Sequence, residues 1–183
     1  MSNIHKNIEE SQVTISQLML PSHENFGGKI HGGYILSLMD QIAFACASKH
    51  SKYYCVTASV DTVNFLNAIE VGELVTLKAS VNYVGRTSMV IGIRVEAENI
   101  HTGAKKHCNS SYFTMVAKDE NGVGKEVPGL ILDSKTEIRR FLKSAHRLAT
   151  KKQKKYQEPN FEIEKHIHEL KNHKVTVAYR GHI

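Results

Sequence analysis

The sequence lacks the segments and motifs that define several large classes of protein. It has no run of the roughly 18 consecutive apolar residues that a membrane-spanning helix needs. Its N-terminal segment contains acidic side chains and no apolar signal-peptide core. It contains no P-loop, no G-x-S-x-G elbow and no G-x-G-x-x-G turn between a strand and a helix. These absences predict a cytoplasmic protein that does not insert into membranes.

Disulfide and metal-binding patterns are missing as well. The chain has three cysteines, Cys46, Cys55 and Cys108. Their number is odd and they have no C-x-x-C spacing, so we expect small core residues in a reduced compartment. Among the eleven histidines, His166, His168 and His173 come nearest to a metal motif. No carboxylate or cysteine completes that set, so the sequence predicts no metal site.

The length and composition of the chain predict one domain with a possible additional segment. At 183 residues and 41% hydrophobic content, the chain is long enough and apolar enough to form a good core. The formal net charge of +6 implies attraction to anions, which include nucleic acid, anionic lipid and phosphorylated cofactors. Charge by itself does not choose among these partners.

A glycine-rich turn that runs into an apolar helix is the most informative segment. The turn covers residues 25–33, and the helix is predicted over 33–50. Because this helix is apolar nearly all round, we expect it to be buried on every face. Asp40 lies near its middle. An ionised carboxylate there is costly unless it is hydrogen-bonded or takes part in chemistry.

Strands account for most of the remaining residues up to 118. Alternating and β-branched segments predict strands over 13–20, 54–65, 73–84, 88–100 and 105–118. Glycine-containing breaks separate the last four strands, which favours an antiparallel sheet. One long helix followed by such a meander predicts an α+β domain in which a curved antiparallel sheet wraps the central helix.

An amphipathic C-terminal helix follows the strands. Ser134 and Glu137 have the spacing of a capping box at its start. Its apolar face is predicted from Ile138, Phe141, Leu142, Ala145, Leu148 and Ala149. The helix runs into the basic residues 151–155, and Pro159 ends it. Residues 175–179 have the pattern of a short strand.

The start of the first helix is suited to stabilising negative charge. Its backbone N–H groups are oriented donors, and Gly32 and Gly33 allow a ligand to approach them, although a tight turn is the simpler interpretation. Asp40 shares this face but lies roughly 10 Å further along the axis. Asp40 therefore serves either the helix start of a second subunit in a two-fold dimer or a structural hydrogen bond to Ser37, Gln41 or a partner backbone.

Four segments, taken in order, resemble one family. They are Leu20-Pro-Ser-His-Glu-Asn25, Gly32-Gly-Tyr-Ile-Leu-Ser-Leu-Met-Asp40, Ala58-Ser-Val-Asp-Thr-Val-Asn-Phe-Leu66 and Gly85-Arg-Thr-Ser88. Together they closely resemble the hotdog-fold acyl-CoA thioesterases, in the branch of broad-range bacterial acyl-CoA thioester hydrolases and brain-type acyl-CoA hydrolases. The resemblance implies a hotdog acyl-CoA thioesterase domain over 11–150 and leaves 151–183 as a basic C-terminal extension.

The resemblance also implies the groups that carry the reaction. Asn25 and Asp40 are expected to form the active site across a dimer interface, with a backbone N–H near Gly33 polarising the thioester carbonyl. Asp40 either activates water as general base or attacks directly to form an anhydride, and free CoA and a fatty acid leave. The residues expected to bind CoA are Gly32, Arg86, Thr87 and Ser88. A plain hairpin turn with a solvated arginine would give the same pattern at 85–86.

Partners and rivals follow from the same resemblance. Acyl-CoA is the expected partner molecule, the homodimer the minimal active unit and a homohexamer, a trimer of dimers, the assembly. No separate cofactor and no nucleic-acid partner are expected, because CoA is part of the substrate and product. His31 departs from the family pattern and suggests a rival, a hotdog enoyl-CoA hydratase or dehydratase that uses this imidazole. A non-catalytic acyl-CoA-binding module is the second rival.

Overall fold

The computed structural model describes residues 4–157. Within them the strands are β1 (His5–Asn7), β2 (Val13–Leu18), β3 (Tyr54–Val60), β4 (Glu73–Val84), β5 (Ser88–Asn99), β6 (Lys105–Lys118) and β7 (Gly129–Ile131). The α-helices are α1 (Gly32–Ser51) and α2 (Lys135–Gln157). Two compact units divide the chain, with Met1–His146 in the first and the second beginning at Arg147. No helix in the described part is long and apolar enough to cross a membrane.

Five strands form one antiparallel sheet in the order β2-β4-β5-β6-β3. The predicted meander is confirmed, but β3 ends at Val60, well before residue 65. Beyond Val60 the chain follows β6 through separated hydrogen bonds, from Asp61 N to Tyr112 O and from Leu66 N to Cys108 O, each 2.9 Å. These isolated bonds do not make a continuous ladder, so the strand predicted over 54–65 is shorter in the structure.

The core lies between α1 and one face of the sheet, which we call the inner face. The buried residues of the two central strands are Val75, Leu77, Ala79, Val81, Met89, Ile91, Ile93, Val95 and Ala97. Those of α1 include Ile35, Leu38, Met39, Ile42, Ala43, Cys46 and Ala47. Period-two burial in the strands and helical spacing in α1 confirm the α+β arrangement. All three cysteines are free and buried, as expected of core residues.

One side of α1 is left uncovered by the sheet. Gly33, Ser37, Asp40, Gln41 and Phe44 are exposed in the single chain, and we call them the exposed stripe of α1. The expectation that this helix is buried on every face is therefore wrong for one chain. The stripe contains glycine, serine and phenylalanine, so it is not clearly more polar than the buried side of the helix. The hydrophobic pattern of the sequence therefore did not distinguish the two sides.

A second, two-stranded sheet joins the chain's beginning to the segment before α2. β1 pairs in parallel with β7, and His5 lies opposite Gly129. A methyl group added at Gly129 would lie 2.5 Å from His5 Cδ2, so the close approach of these strands depends on glycine. Strands of three residues have too little length for a periodic pattern, and neither was predicted from the sequence.

α2 begins with the predicted capping box. Ser134 N donates to Glu137 Oε2 at 2.9 Å, and Glu137 N donates to Ser134 Oγ at 3.2 Å. The ring of Phe141 packs against Tyr83 of β4 with centroids 5.0 Å apart. Ile138 and Leu142 remain 45% and 60% exposed, so part of the predicted apolar face is uncovered in the single chain.

The described residues cover only part of what the sequence predicts for the C-terminal region. α2 runs through the predicted domain boundary at residue 150, and that boundary stays a prediction. The strand pattern at 175–179 and the histidines at 166, 168 and 173 lie outside the described residues. Pro159, predicted to end the helix, also lies outside them.

The imidazole of His50, near the end of α1, is buried and hydrogen-bonded on both nitrogens. Its Nδ1 lies 2.7 Å from Ser11 Oγ, and its Nε2 lies 3.0 Å from Pro128 O. Lys6 Nζ donates to the backbone oxygen of His50 at 2.7 Å. Burial lowers the pKa of this imidazole below its ordinary value of 6.5, although the Pro128 hydrogen bond opposes the shift. The folded chain therefore favours the neutral form.

We expect His50 to make stability depend on pH. The unfolded chain protonates this imidazole more readily than the folded chain does. The stabilising contribution of neutral His50 to folding is therefore present above about pH 6.5 and is lost as the pH falls below that value. His50→Gln should flatten the fall in the free energy of unfolding between about pH 7 and pH 5. Urea titrations at each pH measure the slope. His101→Gln, in the exposed turn after β5, should keep the wild-type slope, and an unchanged slope in His50→Gln would contradict the assignment.

Candidate active site

The loop before α1 is folded around the side chain of Asn25. Asn25 Oδ1 accepts hydrogen bonds from the backbone N–H of Gly27 at 2.8 Å and of Lys29 at 3.2 Å. Asn25 N also donates to Lys29 O at 2.7 Å. Asparagine favours such turns because its side chain reaches the backbone two residues on. The carboxamide oxygen is thus committed to the loop, and the Nδ2 amide is the donor that Asn25 offers to a ligand.

His31 caps the start of α1 with its own side chain. His31 Nδ1 accepts a hydrogen bond from Gly33 N–H at 3.0 Å, so Nδ1 carries no proton. His31 N–H donates to His23 O at 2.9 Å, and the His23 ring stacks on Tyr34 with centroids 3.9 Å apart. The amide that was expected to polarise a thioester carbonyl is therefore hydrogen-bonded within its own chain.

Both glycines at the helix start have a ring against them. A methyl group added at Gly32 would lie 3.2 Å from Phe65 Cζ, and one at Gly33 would lie 3.1 Å from the His31 imidazole. Phe65 is 50% exposed, so its ring forms an accessible apolar wall beside the first turn of α1. Glycine is needed here for tight packing, and the same absence of side chains leaves the backbone open to a ligand.

Asp40 projects from the exposed stripe of α1 and is hydrogen-bonded to β3. Thr57 Oγ1 donates to Asp40 Oδ1 at 2.6 Å. The alternative partners expected from the sequence, Ser37 and Gln41, bond to each other at 3.3 Å instead. A charge-assisted hydrogen bond of this kind fixes one carboxylate oxygen in place. The second oxygen stays available to act on water or on a substrate.

The turn between β4 and β5 is fixed through its backbone and leaves its side chains available. Gly85 N donates to Ser88 O at 2.7 Å, and the oxygens of Arg86 and Thr87 accept from Val127 N at 3.0 Å and Ala117 N at 2.9 Å. Arg86 is exposed, and the side chains of Thr87 and Ser88 are half-buried. The turn therefore holds a guanidinium and two hydroxyls on a rigid frame.

The single chain keeps several of the predicted site residues apart. Gly33 and Asp40 are seven residues apart on one helix, roughly 10 Å along its axis. Ser88 pairs with Val116, which pairs with Val56 of β3. The turn that was predicted to bind CoA is therefore about two strand spacings, roughly 10 Å, from the strand that carries the threonine partner of Asp40.

Two residues of this region were missed from the sequence. Thr57 was recognised only as one of several β-branched residues of a strand, and its contact with α1 depends on how the sheet seats the helix. Phe65 lies within a segment that carried the family resemblance, but its position over Gly32 is set by the hydrogen bonds that lay the segment along β6. Phe65 could have been identified from the family-like segment at 58–66 that contains it. No local sequence pattern sets Thr57 apart from the other residues of its strand.

Comparison with known proteins places the chain in a family. The Thioesterase superfamily model matches residues 27–104. Protein VdlD of Helicobacter pylori is 42% identical over 73% of this chain and 76% of that protein. An uncharacterised acyl-CoA thioester hydrolase of Bacillus subtilis is 34% identical over 71% of this chain and 76% of its own length. The cytosolic acyl-CoA thioester hydrolase of Mus musculus is 32% identical over 73% of this chain, which spans 36% of that protein. The chain belongs to the thioesterase superfamily.

Solved structures share the fold. A hexameric acyl-CoA thioesterase matches with a TM-score of 0.82 at 34% identity, covering 85% of this chain and 99% of that one. The acyl-CoA hydrolase of Staphylococcus aureus, solved with butyryl-CoA, CoA and CoA disulfide, matches with a TM-score of 0.77 at 27% identity, covering 91% and 99%. Variants of that hydrolase with an asparagine, an aspartate or a threonine replaced by alanine also match. The expected hotdog fold is confirmed.

Proposed function

We propose that this chain is an acyl-CoA thioester hydrolase that converts acyl-CoA and water to free CoA and a carboxylic acid. The observation that carries the proposal is an exposed carboxylate, Asp40, held at one oxygen by Thr57. Two relatives are named acyl-CoA thioester hydrolases, and the S. aureus neighbour was solved with CoA ligands. Water and a carboxylate are sufficient for the reaction, so no separate cofactor is required.

Asp40 acts either as a general base or as a nucleophile. As general base it removes a proton from water, the hydroxide adds to the thioester carbonyl carbon, the C–S bond breaks, and the CoA thiolate takes up the proton. As nucleophile its free oxygen bonds to the carbonyl carbon while the C–S bond breaks, and water then hydrolyses the mixed anhydride. Thr57 holds the carboxylate in the same orientation for either route, because its hydroxyl binds only one oxygen.

Asn25 and the start of α1 position the thioester. The Nδ2 amide of Asn25 donates to the attacking water or to the thioester. The carbonyl oxygen takes the Gly33 N–H, where developing negative charge is stabilised by the helix terminus. This exchange requires His31 Nδ1 to leave the position it occupies in the free chain. The thioester carbonyl would then replace the imidazole as the acceptor of the Gly33 N–H.

The spacing of three residues supports these assignments. The asparagine, aspartate and threonine replaced in the S. aureus hydrolase variants are separated by 15 and 17 positions. Asn25, Asp40 and Thr57 have the same two separations. Each residue type recurs in the same order. Asn25 and Asp40 were expected from the family resemblance, whereas Thr57 was identified by its hydrogen bond to Asp40. The coincidence therefore supports one shared set of functional groups.

The site requires two chains. Gly33 and Asp40 of one chain lie roughly 10 Å apart, too far for both to act on one carbonyl. The exposed stripe of α1 carries both residues and includes Phe44, which is 39% exposed. Antiparallel packing of two such stripes about a two-fold axis places the helix start of one chain against Asp40 of the other. The homodimer is therefore the minimal active unit, and three dimers form a hexamer like that of the hexameric acyl-CoA thioesterase neighbour.

CoA is bound by the turn between β4 and β5 together with Gly32. Arg86 supplies an exposed guanidinium for a phosphate, and Thr87 and Ser88 supply hydroxyls. Their backbone groups are held by β6 and by the segment before β7, so little ordering is needed on binding. Phe65 lies against Gly32 and gives the pantetheine or acyl chain an apolar surface.

The cytoplasm is the proposed compartment. The three cysteines are free and buried, which fits a reducing environment. The mouse relative is named as a cytosolic enzyme. Neither membrane insertion nor nucleic-acid binding is needed for the proposed reaction.

We expect Asp40→Asn to abolish release of free CoA from acyl-CoA substrates. The amide can neither remove a proton from water nor form the anhydride, so kcat should fall by about 100-fold or more. Thiol release measured across several acyl lengths tests this, with Asp133→Asn, in the exposed segment before α2, as the control. Equal rates for wild type and Asp40→Asn at every length would overturn the assignment. The hydratase rival instead predicts loss of enoyl-CoA turnover in His31→Ala.

Thr57→Val should lower kcat with a smaller effect on KM. Valine keeps the shape but removes the hydroxyl that orients Asp40, and a hydrogen bond to a charged group is worth roughly tenfold or more in rate. Thr57→Ser should restore most of the activity because it keeps the donor. Thr76→Val removes the hydroxyl that pairs with Ser16, away from Asp40, and should have no such effect. Full activity in Thr57→Val would exclude the orienting role.

Mixed oligomers test whether the site is shared between chains. Asn25→Ala and Asp40→Asn should each be inactive alone. Co-expressed, they form mixed dimers in which one site carries both changes and the other carries neither, so about a quarter of wild-type activity should return. Separately purified variants mixed without chain exchange are the control. If both residues act within one chain, no site is intact and no activity returns.

A further inference from the structure

A polar cavity lies on the outer face of the sheet, the face opposite α1. It has a volume of about 340 Å³ and lies between the sheet and the first turns of α2. Three cationic side chains line it, Lys78 of β4, Arg94 of β5 and Arg140 of α2, and no acidic side chain of the described residues does. None of these residues belongs to the hydrolytic site, which lies on the other face.

Strand register builds the floor of this cavity. Thr14, Lys78, Arg94 and Ser110 lie opposite one another across β2, β4, β5 and β6. Two residues further along the strands, a second row on the same face consists of Ser80, Gly92 and Tyr112, which lie opposite one another across β4, β5 and β6. Because side chains two apart on a strand share a face, both rows point outward together. Two cations and several hydroxyls are therefore held on a rigid surface.

A β-bulge aims one buried amide at this floor. The register of β4 and β5 shifts between Val81 and Tyr83, and Asn82 is the additional residue. Asn82 is 5% exposed, and its Oδ1 accepts from Ser80 Oγ at 3.0 Å. Its Nδ2 lies 2.1 Å from where a side chain at Gly92 would begin, so Gly92 is what makes room for the amide. Among the described residues nothing accepts a hydrogen bond from Nδ2.

The charge of the cavity is positive after internal pairing. Glu96 binds Lys78 at 2.8 Å and Arg94 at 2.9 Å, and these hydrogen bonds lower the pKa of its carboxyl to about 2. One carboxylate thus serves two cations. Arg140 is exposed and makes no hydrogen bond or close ion pair within residues 4–157, although it interacts electrostatically with Glu137, three residues earlier on α2. The three cations exceed the two carboxylates near them, so an anionic ligand would be attracted to the cavity.

We propose that this outer-face cavity binds the phosphoryl group of a small organic or inorganic phosphate. Arg140 and Arg94 donate charge-assisted hydrogen bonds to the phosphoryl oxygens, and Asn82 Nδ2 donates to a third. The phosphoryl group belongs either to a separate phosphorylated metabolite or to CoA itself. The site does not rest on the hydrolase assignment, because its residues and its probe take no part in thioester cleavage.

Calorimetric titration of the full chain with inorganic pyrophosphate tests the site. Binding should be saturable with one site per chain, and Arg140→Gln should weaken it roughly tenfold or more. Arg139→Gln is the matched control, because it removes the same charge from the neighbouring exposed position of α2 without lining the cavity. Arg140→Gln should leave thioester hydrolysis at saturating substrate unchanged.

Competition distinguishes the two sources of the phosphoryl group. If free CoA displaces pyrophosphate from wild type but not from Arg140→Gln, the CoA phosphates occupy the cavity. If CoA binds without displacing pyrophosphate, the ligand is a separate phosphate compound. Absence of saturable pyrophosphate binding, or equal weakening in Arg139→Gln and Arg140→Gln, would overturn the proposal.

Discussion

One-sided burial of α1 against the inner face of the sheet is the constraint on which this structure depends. It sets the rotation of the helix, and the rotation decides which residues remain outside. Asp40 is outside and hydrogen-bonded to Thr57, whereas Met39 beside it is fully buried. A rotation of the helix by one residue would exchange these positions and separate the carboxylate from β3. Core packing is therefore what places the candidate catalytic group.

The same constraint makes the single chain incomplete. A helix laid on one sheet leaves its far side uncovered, and here that side carries little charge apart from Asp40. An exposed helix face with so little charge is typical of a surface that packs against another chain. The proposed packing of two such stripes would both build the two-chain site and cover the exposed stripe.

The two faces of the sheet have different chemistry because residues alternate along each strand. Ile91 and Ile93 face the core and are buried, while Gly92 and Arg94 face the outer cavity.

At the start of α1, the backbone N–H of Gly33 already donates a hydrogen bond to the His31 imidazole of the same chain. In the proposed reaction the thioester carbonyl would have to compete with the His31 imidazole for this N–H.

The sequence by itself determined a helix over 33–50, which is Gly32–Ser51 in the structure, together with the long antiparallel strands and the capping box of α2, because each depends on local periodicity or on residues three positions apart. It also indicated Asn25 and Asp40 through a family resemblance. Only the tertiary structure decided that Thr57 binds Asp40, that His31 occupies the Gly33 amide, and that β1 pairs with β7. The physical reason is that these contacts depend on strand register, loop closure and helix rotation. Those are properties of the packed chain, and no local pattern of residues encodes them.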